Sequence, residues 1–166
     1  MPTASIKTAE GAFTACFSED GLTRLEFPSN HQPGPPKKSS AASRTPRLRR
    51  WIDQTRKALQ QVLAGSKPTV LPPFDLAEGT EFQKAVWLRL CTIPPGQTRT
   101  YGQLATALHR PKAARAVGQA CGANPIPVLI PCHRVLAAGG ALGGFSSGLD
   151  WKRKLLAREG VAGLWE

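Results

Sequence analysis

Twelve residues, Asn124 to Val135, constrain this chain most: NPIPVLIPCHRV carries three prolines in an apolar run that ends in adjacent Cys132 and His133. Proline fixes φ and removes a backbone donor, so the segment is stiff, and stiffness beside two reactive side chains implies positioning. A thiol is a weak nucleophile at neutral pH because its free pKa is about 8.5, and a reactive cysteine needs a base or a positive field beside it. His133 and Arg134 supply candidates in sequence. A bare Cys-His dipeptide more often marks a buried structural cysteine beside an incidental histidine. The proline frame and the following glycines favour the reactive account, since GGALGGFSSG, residues 139 to 148, can form a mobile, close-approach wall around a pocket. Glu159 is a candidate carboxylate to orient His133, with an exposed helix-end glutamate as the alternative.

The 166 residues suit one domain or two small packed ones, and 41% hydrophobic residues with four Trp and six Phe suffice for a core. No stretch approaches the roughly 18 consecutive apolar residues of a membrane span, and the start, MPTASIKTAEGAF, lacks the apolar centre of a signal peptide. A soluble, cytoplasmic protein with no membrane partner is expected. Cys16, Cys91, Cys121 and Cys132 are too few and too scattered for a disulfide scaffold or zinc ribbon, which suits a reducing compartment. The net charge is +11, divided as 11 basic against 6 acidic residues before Glu78 and 11 against 5 from there on. Both halves are basic. A run from Lys37 to Lys57 is either a solvated loop or a phosphate-contacting patch.

Partial alternation over residues 11 to 27 around Asp20-Gly21 predicts two strands and a hairpin. His31 to Pro46, rich in Pro, Ser and Lys, reads as an exposed connection. The spacing of Ile52, Leu59, Val62 and Leu63 predicts a helix ending near Gly65, and Pro68 to Pro73 an extended linker. Thr80 with Gln83 and Thr100 with Gln103 are capping boxes that open two helices, the first with Phe82, Val86 and Leu90 inward, the second with Leu104 and Leu108 inward. Pro111 suits the first turn of a further helix, Lys112 to Cys121, whose face of Ala113, Val117, Ala120 and Cys121 lies opposite Lys112, Arg115 and Gln119. Two short helices with a tight connection suggest a helix-turn-helix. Ser147 and Asp150 form a capping motif for a last helix carrying Trp151 and Leu155.

IPCHRV at 130 to 135, KAARAVG at 112 to 118, Asn124-Pro125 and Arg158-Glu159-Gly160 together resemble O6-alkylguanine-DNA alkyltransferase, almost continuously over residues 80 to 160. Residues 1 to 75 are similar only in size and in strand-then-helix order. The resemblance implies an α/β chain: a small N-terminal ribonuclease-H-like sheet-plus-helix domain, 1–75, then a mostly helical domain, 78–166, with the active site and the helix-turn-helix. It implies Cys132 as alkyl acceptor, His133 as its base through a water, and Glu159 as the group that fixes the imidazole. Asn124 would tie the recognition helix to the active-site turn. Tyr101 would press on the target nucleotide and protonate the leaving guanine. Arg115 would fill the space left by the flipped base, while Ala114, Ala116 and Gly118 allow close approach in the minor groove and Lys112 contacts phosphate. Pro127, Val135, Phe145 and Ser146 would line the guanine pocket.

The implied partner is double-stranded DNA containing O6-alkylguanine, with one transfer per molecule, no cofactor and a monomer in solution; cooperative assembly on DNA stays open. Phe145 departs from the family, where many relatives carry Tyr. Zinc is not expected either, because Cys16 and His31 are the only obvious N-terminal ligands and four are wanted. Two other readings compete: a lesion sensor on the same fold, which in such relatives lacks the cysteine present here, and a Cys-His hydrolase, which would need an oxyanion hole and turn over repeatedly.

Overall fold

The computed structural model describes residues 1–29, 44–145 and 147–163. Three strands, β1 (Thr3–Thr8), β2 (Gly11–Phe17) and β3 (Leu22–Glu26), pair antiparallel in the order β1-β2-β3. The hairpin expected around Asp20-Gly21 joins β2 to β3, and β1 is an addition to it. Ala4 and Ile6, Phe13, Ala15 and Phe17, and Leu22 and Leu25 point to one buried face. On that face lies α1 (Pro46–Leu63), packed against β1. Thr45 caps it by accepting from Leu48 N–H, Pro46 stands where its missing donor costs nothing, and Gly65 at φ 83° turns the chain away.

The proline-rich connection then runs back along the sheet, where Leu22 N–H donates to Pro73 O and Asp75 N–H to Leu22 O, both at 2.8 Å. Both predicted capping boxes form. They open α2 (Glu81–Leu90) and α3 (Tyr101–Ala107). In α2 the inward residues are Val86, Trp87 and Leu90, with Phe82 only half-buried, and Trp87 Nε1 donates to Ala120 O across to the next layer. Leu104 is buried in α3 and Leu108 only half-buried.

The following helix, α4, runs Ala114–Gly122 rather than from Lys112. Arg110 to Ala113 close a turn first, with Ala113 N–H donating to Arg110 O at 2.9 Å, so Pro111 occupies a turn position that suits its fixed φ. Two short strands, β4 (Arg99–Thr100) and β5 (Val135–Leu136), pair in parallel. The last helix, α5 (Leu149–Arg158), starts without the expected capping motif: Gly148, at φ 98°, holds the cap position, which puts Ser147 one residue too early.

One connected set of buried side chains runs from Ile6, Phe13 and Leu22 through Leu59 and Trp87 to Val117, Ile130 and Leu155, so the sheet and the helical part share a core. Of the basic run, residues 37 to 43 lie outside the described ones, while Arg47, Arg49, Arg50, Arg56 and Lys57 ride on α1, with Asp53 pairing Arg56 and Lys57. Among the described residues no helix is long and apolar enough to cross a membrane.

Candidate active site

The proline frame is held from inside. Asn124, at the end of α4, donates from Nδ2 to Ile130 O at 2.8 Å and accepts from Ile126 N–H at 3.0 Å, while Ile130 N–H donates to Ile126 O. These bonds pin a loop in which Val128 holds φ 74°, a conformation a β-branched residue adopts only when its surroundings over-determine it. Leu25 N–H donates to Pro125 O, which fastens the same loop to the sheet. The loop delivers Cys132, His133 and Arg134 as a single buried 3-10 turn.

His133 is fully buried, and its Nε2 lies 2.9 Å from Glu159 Oε1. An ionised carboxylate only accepts, so Nε2 carries the proton and Nδ1 is left with a free lone pair. Nδ1 is buried and has no hydrogen-bond partner among the described residues. Burial lowers the pKa of His133 despite the raising effect of Glu159, which keeps the ring neutral and able to take a proton. Glu159 itself has a side chain only 1% exposed. Burial pushes its carboxyl up, but the His133 and Arg134 hydrogen bonds and charges outweigh that and hold it at about 2. Arg134 does not face the thiol as the sequence suggested. It forks onto Glu159, at 2.7 Å from Nη2 and 3.0 Å from Nε, and donates from Nη1 to Ile93 O.

Burial raises the Cys132 pKa, with Asn124 and Lys152 working against that. The resting side chain is therefore a thiol that needs a base. Lys152 is the residue that sequence reasoning missed: it is fully buried on α5, and among the described residues no carboxylate pairs with it. Its Nζ donates to Val135 O at 2.7 Å and Gly144 O at 3.2 Å. Burial depresses its pKa from 10.5 to about 8, with the thiols of Cys132 and Cys121 opposing. Its spacing with Leu155, Leu156 and Glu159 puts a lysine in the apolar stripe of a helix, which is the signal that could have revealed it.

Cys132 opens onto a cavity of about 1100 Å³. Tyr101, Ala114, Arg115, Gly118, Cys121 and Phe145 stand on its walls. Arg115 is exposed and Lys112 lies outside this lining, in the turn before α4. Ala116 is half-buried and off the cavity; Val135 is fully buried, and Pro127 lines a neighbouring cavity with Phe27 and Trp151. Ser146 lies outside the described residues. Burial above all raises the Tyr101 pKa, so the phenol keeps a proton to donate. Gly143, at φ 71°, sits so near that a Cβ there would be 3.0 Å from Tyr101 Oη.

Glu159 is the residue that ends α5, and that end is anchored from the first half of the chain. Gly65 packs against Arg158 O with no room for a Cβ, Arg158 Nη1 donates to Leu63 O at 3.1 Å, and Glu10 pairs with both Lys154 and Arg158.

Comparison with known proteins finds relatives in both sequence and structure. The model of the 6-O-methylguanine DNA methyltransferase, DNA binding domain, matches residues 81–161. The solved Mycobacterium tuberculosis O6-methylguanine methyltransferase is 34% identical, with TM-score 0.71, over 95% of this chain and 91% of that one. This chain belongs to the O6-methylguanine-DNA methyltransferase family. A structure of Mycobacterium tuberculosis OGT in complex with DNA is 37% identical with TM-score 0.71, over 93% and 90% of the two chains. A methylated-DNA--protein-cysteine methyltransferase from Methanosarcina mazei is 57% identical over 82 residues, 49% of this chain and 52% of that protein. The sequence match thus spans about half the length of the curated relatives. The family model's range, residues 81–161, takes in Cys132, His133 and Glu159.

Proposed function

We propose that this chain repairs alkylated DNA by moving the alkyl group of O6-alkylguanine in double-stranded DNA onto Cys132, once per molecule. The observation that carries the reading is a single cavity lined by Cys132 together with Arg115, Ala114 and Gly118 from the outer face of α4, with the His133–Glu159 pair buried. Solved relatives include a complex with DNA. The two-part organisation at 1–75 and 78–166, the ribonuclease-H likeness of the sheet, and α3 with α4 as a helix-turn-helix belong to the same reading.

A guanine stacked in a duplex keeps its O6 substituent out of reach of a buried thiol, so the nucleotide must leave the stack. Arg115, with Ala114, Ala116 and Gly118 allowing close approach and Lys112 on phosphate, holds the opened duplex. Phe145 forms a wall of the guanine site. His133 Nδ1 takes the Cys132 proton through a bridging water while Glu159 fixes the tautomer. The sulfur electron pair then bonds to the alkyl carbon as the C–O6 bond breaks, and its electrons return to the guanine, which takes a proton from Tyr101. The proton removed from Cys132 replaces the one Tyr101 gave. A thioether has no leaving group that the site can expel, which makes the reaction final.

Intact mass measured after incubation with an oligonucleotide containing O6-methylguanine tests this. One methyl per chain on Cys132 is expected, and Cys132→Ala should bind DNA without gaining mass. Repeated turnover with no added mass, or alkylation elsewhere, overturns the reading.

A further inference from the structure

We infer that Phe27, at the end of the N-terminal sheet, is a positioning residue that sets the orientation of the cavity wall Phe145 and thereby the affinity of the site for the alkylated base. The inference rests on the transfer reading. Phe145 stands on the cavity lining and meets the Phe27 ring edge to face, with centroids 5.9 Å apart and planes at 80°. Phe27 is itself fixed by two further rings, Trp151 at 4.8 Å and the fully buried Phe13 at 5.4 Å. The wall is therefore the last member of an aromatic chain rooted in the core of the sheet.

What makes Phe27 specific to the side chain, rather than to the loop as a whole, is that the backbone is tied separately. At Gly144, next in sequence to Phe145, the carbonyl accepts from Lys152 Nζ at 3.2 Å. Removing the Phe27 ring leaves that bond in place. Phe145 then loses its ring partner on the side away from the cavity and spreads over several rotamers, and ligand binding must select one of them.

An edge-to-face pair of this kind is worth roughly 2- to 10-fold in an equilibrium constant. The test is the pseudo-first-order alkylation of Cys132 by free O6-benzylguanine, followed by intact mass against ligand concentration. Phe27→Ala should raise the half-saturating concentration roughly 2- to 10-fold and leave the limiting rate unchanged. Phe27→Leu, which keeps apolar bulk at the sheet end but no ring, should behave the same way, and it guards against a variant that fails to fold. Affinity for an undamaged duplex should not move. Wild-type half-saturation in both variants, or a fall in limiting rate with no change in half-saturation, overturns the role of Phe27 while wild-type transfer still stands. Absence of wild-type alkylation at any concentration sinks the transfer reading and, with it, this one.

Discussion

Replacing Glu159 by glutamine strikes the point where a base and a guanidinium share one carboxylate. In the folded chain the carboxyl is held at about 2, against 4.5 when unperturbed. That difference corresponds to about 3 kcal/mol of stability at about 1.4 kcal/mol per unit. Because the folded pKa is the lower one, the contribution is complete above about pH 4.5 and is lost as pH falls toward 2. Glutamine preserves shape but leaves Arg134 a buried cation without a counter-charge, a situation that typically costs 3–5 kcal/mol. Urea unfolding at pH 7 should therefore show Glu159→Gln less stable by about 3 kcal/mol, and the gap to wild type should close as pH falls through that window. Transfer should slow by about 10²-fold or more, since the amide no longer dictates which imidazole nitrogen carries the proton. Adding Arg134→Met removes the stranded charge and should recover most of the stability but none of the rate. Combining Glu159→Gln with His133→Ala should cost little more rate than the worse single change. A pH-independent stability gap would refute the charge account, and additive rate losses would remove Glu159 from the relay.

Arg115→Ala should slow single-turnover transfer from duplex DNA at saturating protein while leaving reaction with the free alkylated base unchanged; equal duplex rates would sink its role in holding the extruded state. Lys152→Met should shift the pH profile of Cys132 reactivity toward iodoacetamide upward, about tenfold in rate at neutral pH per unit of thiol pKa. Wild-type stability should also rise between pH 8 and 10.5, where the depressed lysine sheds its proton on folding, and the variant should lack that rise. Gly143→Ala forces a positive φ on alanine and a Cβ against Tyr101, so slower transfer with a lowered Tm is the outcome, and an unaffected rate would disconnect that hydroxyl from the chemistry.

Local rules carried the elements whose causes are local. Thr80 with Gln83 and Thr100 with Gln103 form the boxes their spacing announces, because both partners lie within one turn. Ser147 failed for an equally local reason, a glycine in the cap position with a backbone that no serine box tolerates. β1 was not legible, since TASIKT becomes a strand only by pairing with β2. In the site, the proline frame pointed to Cys132 and His133. The partners of Arg134 and Lys152, however, lie 25 and 17 residues away, and nothing in a charged side chain says that it will end on Glu159 or on the Val135 carbonyl instead of in water.

The tether between Gly65, Leu63, Glu10 and the end of α5 has a consequence for anyone who would treat the two halves as interchangeable modules. Glu159 follows directly on Arg158, so its place beside His133 is gauged from the end of α1 and the turn between β1 and β2, far in sequence from the Cys132 turn. A hybrid that grafts residues 1–75 of a relative onto the second half inherits a working relay only if the graft brings a glycine at 65, an acid at 10 and the same helix end. A mismatch there would leave every reacting side chain present and the imidazole without its guide.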